Sequence, residues 1–157
     1  MTEGFVVGIA DGGPPTLSWL MWLGGTGNDY VQALAVNGDE IYAAGYTNSS
    51  DSWDTASSTK GTFTDAGVNE GFIVEISDGG PPTLNWLMWQ GAEGDDYIYA
   101  LAINGDEIYA GGYAPNSRSM EGTFSGTKYD GQNSGFIVEI SDAVAATVNA
   151  IFFGTGF

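Results

Sequence analysis

Residues 78–91 read DGGPPTLNWLMWQG, and residues 11–24 read DGGPPTLSWLMWLG. A Trp-rich segment written twice marks an internal repeat, and a repeat constrains architecture before any local propensity does. Trp19 recurs 67 residues on as Trp86, and Gly4-Phe5 recurs at the same spacing as Gly71-Phe72. The pair returns 64 residues later as Gly135-Phe136. Residues 4–47 and 71–114 are identical at 31 of 44 positions, and a partial third copy, GFIVEISDAVAATVNAIFFGTG, occupies 135–156.

Each copy alternates with the period of a strand. In GFIVEIS (71–77), Phe72, Val74 and Ile76 share one face, and Ile73, Glu75 and Ser77 the other. TLNWLMW is apolar on both faces, as a strand sandwiched between two layers must be. DGGPP between them is turn chemistry, because Gly tolerates unusual φ and Pro cannot continue a ladder. Asn37-Gly38 and Asn104-Gly105 each lie between two strand-like runs, which predicts hairpins with Asn-Gly at the tip. No segment carries a helical period. The chain reads as all-β.

Four strands per copy, small residues in one pair and aromatics in the other, is the pattern of a β-propeller blade. Small side chains suit the crowded axis and large ones the wider gap between blades. On this reading ALAV is inner strand a, EIYAAGY strand b, GFIVEIS strand c and LNWLMWQG outer strand d. Trp19, Trp22, Trp86, Trp89, Phe72 and Phe136 then pack blade against blade. The chain divides into a half blade (4–24, strands c and d) and two four-stranded antiparallel blades (30–91 and 97–154). The last copy aligns Ala150 and Phe153 with Trp86 and Trp89. A propeller closes with about four to eight blades. Two and a half therefore imply that the ring is completed by further blades of a longer chain or by head-to-tail oligomerisation, with strand exchange of residues 4–24 as one route.

Composition narrows the chemistry. Twenty acidic and three basic residues give a formal charge of −17. Such a surface repels phosphate backbones and anionic lipids, so neither nucleic acid nor electrostatic membrane docking is expected. Without Cys or His, disulfides, thiolate chemistry and Ser-His catalysis are out of reach. No apolar run approaches the roughly 20 residues of a membrane helix, so no membrane insertion is expected. MTEGFVVG has neither the basic region nor the apolar run of a signal peptide, so a secreted protein would be present here as its mature form or as a cut piece.

The run WLGGTGNDYVQALAVNGDEIYAAGYTNSSD (22–51) resembles the SBBP-type β-propeller repeat of bacteria and archaea. Shared features are an aromatic strand, a Gly-Gly-x-Gly-x-Asp loop, an alternating strand and a later aromatic strand. Asn-Gly stands where that family has an Asp-x-x-Gly turn, and Gly-Phe where it has Asp-Phe. The resemblance implies a propeller scaffold or adhesion module at a cell surface or outside the cell.

Three groups of residues are candidates for function. The b–c insertions (48–70 and 114–134) differ most between copies and hold every basic residue: Lys60, Arg118 and Lys128. With Trp53 and Tyr129 they suggest a carbohydrate surface; otherwise they are surface loops whose GTF motifs tuck Phe63 and Phe124 against the sheet. The d–a loops carry Asn28, Asp29, Glu93, Asp95 and Asp96, which are either oxygen ligands for calcium or turn-capping side chains. Asp29, Asp95 and Asp96 would also have to serve any glycan-processing enzyme. Adjacent strand residues point to opposite faces, so Asp95 and Asp96 make a poor acid–base pair. The preferred expectation is a non-enzymatic structural or adhesive module that self-associates and needs no cofactor. A carbohydrate-binding propeller is the alternative, and a glycan-processing enzyme the third reading.

Overall fold

The computed structural model describes residues 1–50, 53, 58–60, 63, 68–91, 94–115, 123–125, 134–141 and 148–153. Every helix or strand among them is a strand. In chain order these are β1 (Gly4–Ala10), β2 (Thr16–Leu23), β3 (Asp29–Asn37), β4 (Glu40–Thr47), β5 (Ser58–Lys60) and β6 (Glu70–Ser77). There follow β7 (Thr83–Gln90), β8 (Tyr97–Asn104), β9 (Glu107–Ala114), β10 (Thr123–Ser125), β11 (Ser134–Ser141) and β12 (Val148–Phe153).

They form three sheets. β1 and β2 make an antiparallel hairpin. β3-β4-β6-β7 and β8-β9-β11-β12 are antiparallel meanders in which each strand pairs with the next. Each meander gains a short fifth strand from its insertion, β5 running parallel to β7 and β10 parallel to β12. The insertions were expected as loops only. Three residues carry too weak a period to announce a strand, and the parallel partner is set by tertiary proximity.

The sheets stack face to face, the middle one between the other two, and the described residues close no ring. Strand alternation sorts the middle sheet's side chains into two cores. Phe72, Val74 and Ile76 join Ala43, Leu87 and Trp89 against Val6 and Leu23 of the hairpin. Ile73 joins Tyr42, Ala44 and Met88 against Ile98, Ala110, Phe136 and Val138 of the third sheet.

Local chemistry explains the joints. Register pairs Asn37 with Glu40 and Asn104 with Glu107, so the hairpin tips are Gly38-Asp39 and Gly105-Asp106, one residue beyond the expected Asn-Gly. Gly38 and Gly105 hold φ of 63° and 62°, which glycine adopts without a Cβ penalty. Asn37 is left free to reach across sheets, its Nδ2 donating to the Gly105 carbonyl at 3.2 Å. Bulges between Val31 and Ala33, and between Ile98 and Ala100, bend β3 and β8. The expected alignment of Ala150 and Phe153 with Trp86 and Trp89 is off by one. Glu75 pairs with Trp86 and Phe72 with Trp89, whereas Glu139 pairs with Asn149 and Phe136 with Phe152. A bulge after Glu75 accounts for the slip, since β11–β12 pairs without one.

Candidate interaction surfaces

The first hairpin exposes an apolar face built from three cross-strand pairs: Phe5 with Trp22, Val7 with Leu20, and Ile9 with Leu17. All six are 38–64% exposed, and the Phe5 and Trp22 rings meet edge to face at 5.8 Å. The corresponding pairs of the middle sheet are Phe72 with Trp89, Val74 with Leu87, and Ile76 with Leu84. Those six are 0–7% exposed. At the far end of the stack, Ile137 and Ile151, a register pair on β11 and β12, are exposed as well. Ile137 holds the place of Ile73, which is wholly buried. Both ends of the stack therefore present apolar surface that its interior covers.

The aromatic residues expected to pack blade on blade divide accordingly. Phe72, Trp89 and Phe136 are buried, and Trp19 and Trp86 are partly buried. Trp22 lies on the exposed face. The Trp86 indole donates to Glu75 Oε2 at 2.6 Å, and Asn85 Nδ2 donates to Oε1 at 2.5 Å. Gly8 stands where Glu75 would be in the first copy, and Trp19 lies over it. The Trp19 indole donates instead to Asp78 Oδ1 at 2.5 Å.

Of the proposed ligand-binding residues, Trp53 is 4% exposed and packs against Phe72 at 4.8 Å and Trp89 at 5.6 Å. Phe63 meets Trp89 at 5.1 Å. Both rings extend the core rather than offer a stacking face to solvent. Lys60 lies on β5, its side chain outside the described residues, as are Arg118, Lys128 and Tyr129.

The d–a carboxylates act on the backbone. Asp29 is buried and accepts hydrogen bonds from the Gly25 N–H at 3.1 Å and from the Thr47 hydroxyl. Asn28 Oδ1 accepts from the Thr2 N–H at 3.0 Å. Asp95 Oδ1 accepts from both the backbone N–H and Nδ2 of Asn69, each at 2.9 Å. Asp96 is buried, and its own N–H donates to the Asn69 carbonyl at 2.7 Å. The bonds of Asn28, Asp95 and Asp96 tie the turns before β3 and β8 to the segments before β1 and β6. Among the described residues no three Asp or Glu side chains converge as a metal site; Glu93 lies outside them.

One cluster has no counterpart in the expectations. Tyr30 stacks on Tyr46 at 4.7 Å, Tyr46 meets Tyr97 edge-on at 4.7 Å, and Tyr97 contacts Tyr99 and Tyr113 at 5.8 and 5.9 Å. The row crosses from β3 and β4 of the middle sheet to β8 and β9 of the third, with Tyr99 exposed. Burial, reinforced by Tyr30, Tyr99 and Tyr97, pushes the Tyr46 hydroxyl above its ordinary range. Burial also raises that of Tyr97, against the opposing hydrogen bond from Asn69. The recurrence of Tyr30 and Tyr46 as Tyr97 and Tyr113 was the available signal.

No protein-family model matches the chain, and no curated protein matches it either.

Proposed function

We propose that this chain is a non-enzymatic structural module of β-propeller type that self-associates head to tail by sheet stacking. The observation that carries the reading is the contrast between six hairpin residues, 38–64% exposed, and their six middle-sheet counterparts, 0–7% exposed. Sheets of this repeat are built to be covered on both faces, and exposed patches of this kind mark association sites. The two ends of the stack differ. One presents the Phe5–Trp22 face, and the other the Ile137–Ile151 face whose repeat counterpart covers Phe136 from within. Joining unlike ends gives a heterologous contact, which forms rings or filaments according to its rotation. The blade reading is supported by the meander order and by Ala33, Ala35, Ala100 and Ala102 on the inner strands. An extracellular or cell-surface setting fits a scaffold of this charge.

Light scattering with and without Trp22→Glu tests the proposal. A multiple of 16.4 kDa that falls to the single-chain mass in the variant supports it. A folded wild-type monomer at micromolar concentration rules it out.

A further inference from the structure

The first hairpin carries a second vacancy, along the free edge of β1, that shares Phe5 with the stacking face. In the middle sheet, β6 is paired on both edges, by β4 and β7; in the third, β11 is paired by β9 and β12. β1, their counterpart, pairs among the described residues with β2 alone, which leaves its seven-residue outer edge open there. Unpaired edge amides and carbonyls of that length template the addition of another strand.

The face beside that edge is bare at the matching positions. Leu101 and Ile103 of β8 pack into the core beneath β3 and β4. Leu34 and Val36, their counterparts on β3, are 53% and 65% exposed. Their register partners Ala43 and Ile41 face the hairpin's side of the sheet, so Leu34 and Val36 do too. A groove of about 490 Å³ runs between the two features, lined by Thr2, Gly4, Phe5, Tyr30, Val31 and Leu34. What covers β8 is a hairpin; nothing among the described residues stands in its place over β3.

We propose that this groove is a docking slot for a β-hairpin of the repeat's own inner-strand kind, presented by a separate polypeptide. The chemistry of the occupant is read from the equivalent interface within the chain. Its second strand pairs antiparallel with β1, as β4 pairs with β6. Toward β3 it shows the row that β4 shows to β8, a Tyr and an Ala two residues apart like Tyr42 and Ala44. Its turn carries an Asn that donates to the Gly38 carbonyl, as Asn37 donates to that of Gly105. A second identical copy is a poor source. Its two inner hairpins, β3–β4 and β8–β9, are already built into its own sheets, and it brings another open β1. The slot lies within one chain and is independent of end-to-end stacking.

The test titrates a labelled peptide of residues 29–47 into the full chain carrying Trp22→Glu, which removes the stacking face and leaves the slot. About 0.5 M salt screens repulsion between the acidic partners. The expected result is saturable one-to-one binding with slowed amide exchange over residues 4–10. Leu34→Asp, or Val36→Asp if the first variant loses its strand spectrum, weakens binding at least about tenfold, and a scrambled peptide does not bind. The proposal is overturned by no binding up to about 1 mM peptide. It is equally overturned by binding that leaves 4–10 unprotected or ignores both variants. Concentration-dependent protection of 4–10 without peptide would assign the edge to β1–β1 pairing between copies, and also overturns it.

Discussion

Trp86 and Glu75 face each other across β6 and β7, indole N–H to carboxylate at 2.6 Å, with the carboxylate largely buried. A charge-assisted bond out of water contributes roughly 1.5–3 kcal/mol, and its loss strands the partner. Glu75→Gln is expected to lower unfolding stability by that order, measured by denaturant titration. Asp78→Asn, which touches the exposed counterpart at Trp19, is expected to cost less than about 1 kcal/mol.

Gln90 is fully buried, and its amide makes no hydrogen bond among the described residues. Its repeat counterpart is Leu23, buried against the middle sheet. Gln90→Leu is therefore expected to raise stability by about 1–3 kcal/mol, the cost of an unsatisfied buried amide. An unchanged or lower midpoint in urea contradicts this.

Gly45 and Gly112 sit beside the bulges of β3 and β8, where a Cβ would collide with the carbonyl oxygens of Tyr30 and Tyr97. Backbone cannot move aside as a side-chain end can. Alanine at either position is expected to cost at least about 1–3 kcal/mol, whereas Gly12→Ala and Gly79→Ala, in open space, stay within about 0.5 kcal/mol. Thermal melts of the four variants decide it.

The tyrosine row makes stability depend on alkaline pH. Tyr46 and Tyr97 hold their protons more tightly folded than in an unfolded chain, whose tyrosines titrate near 10.0. Tyr109 does likewise, chiefly through its bond to Glu107 at 2.7 Å. A raised folded value means that the contribution is fully present below pH 10.0 and is lost as pH rises through the folded values. Denaturant midpoints should be insensitive to tyrosine just below that pH and fall above it. In the ultraviolet titration of the folded protein, Tyr46→Phe and Tyr109→Phe should each remove a late-titrating phenol.

A charge of −17 on 157 residues destabilises the compact state by self-repulsion. Raising sodium chloride from about 0.01 to 1 M shortens the screening length from roughly 30 to 3 Å. The melting temperature is expected to climb over that range, and a flat response contradicts it.

Much of the local structure was legible. Alternation alone placed Phe72, Val74 and Ile76 opposite Ile73, and that is how the two cores divide them. The hairpin between β3 and β4 was legible too, although its tip lies one residue beyond Asn37-Gly38, because the glycine takes the first turn position. β5 and β10 were not, since their pairing partners lie across an insertion whose own sequence names none. Trp53 read as a ligand platform, and burial against Phe72 and Trp89 is a property of the neighbours it meets. Nor did the bond of Asp29 to its own turn, or that of Asp95 to Asn69, distinguish itself from metal ligation by spacing, because both uses draw on the same oxygen atoms.

The sequence by itself determined the repeat, the strand period and the tight hairpins between β3 and β4 and between β8 and β9, because these depend on contacts close along the chain. Only the tertiary structure decided which of the repeated faces is covered. Phe5 and Phe72 lie in nearly identical segments, yet one is half exposed and the other fully buried. Burial is a property of what lies opposite. The sheet opposite Phe72 is the hairpin that carries Phe5, and no described part of the chain lies opposite Phe5.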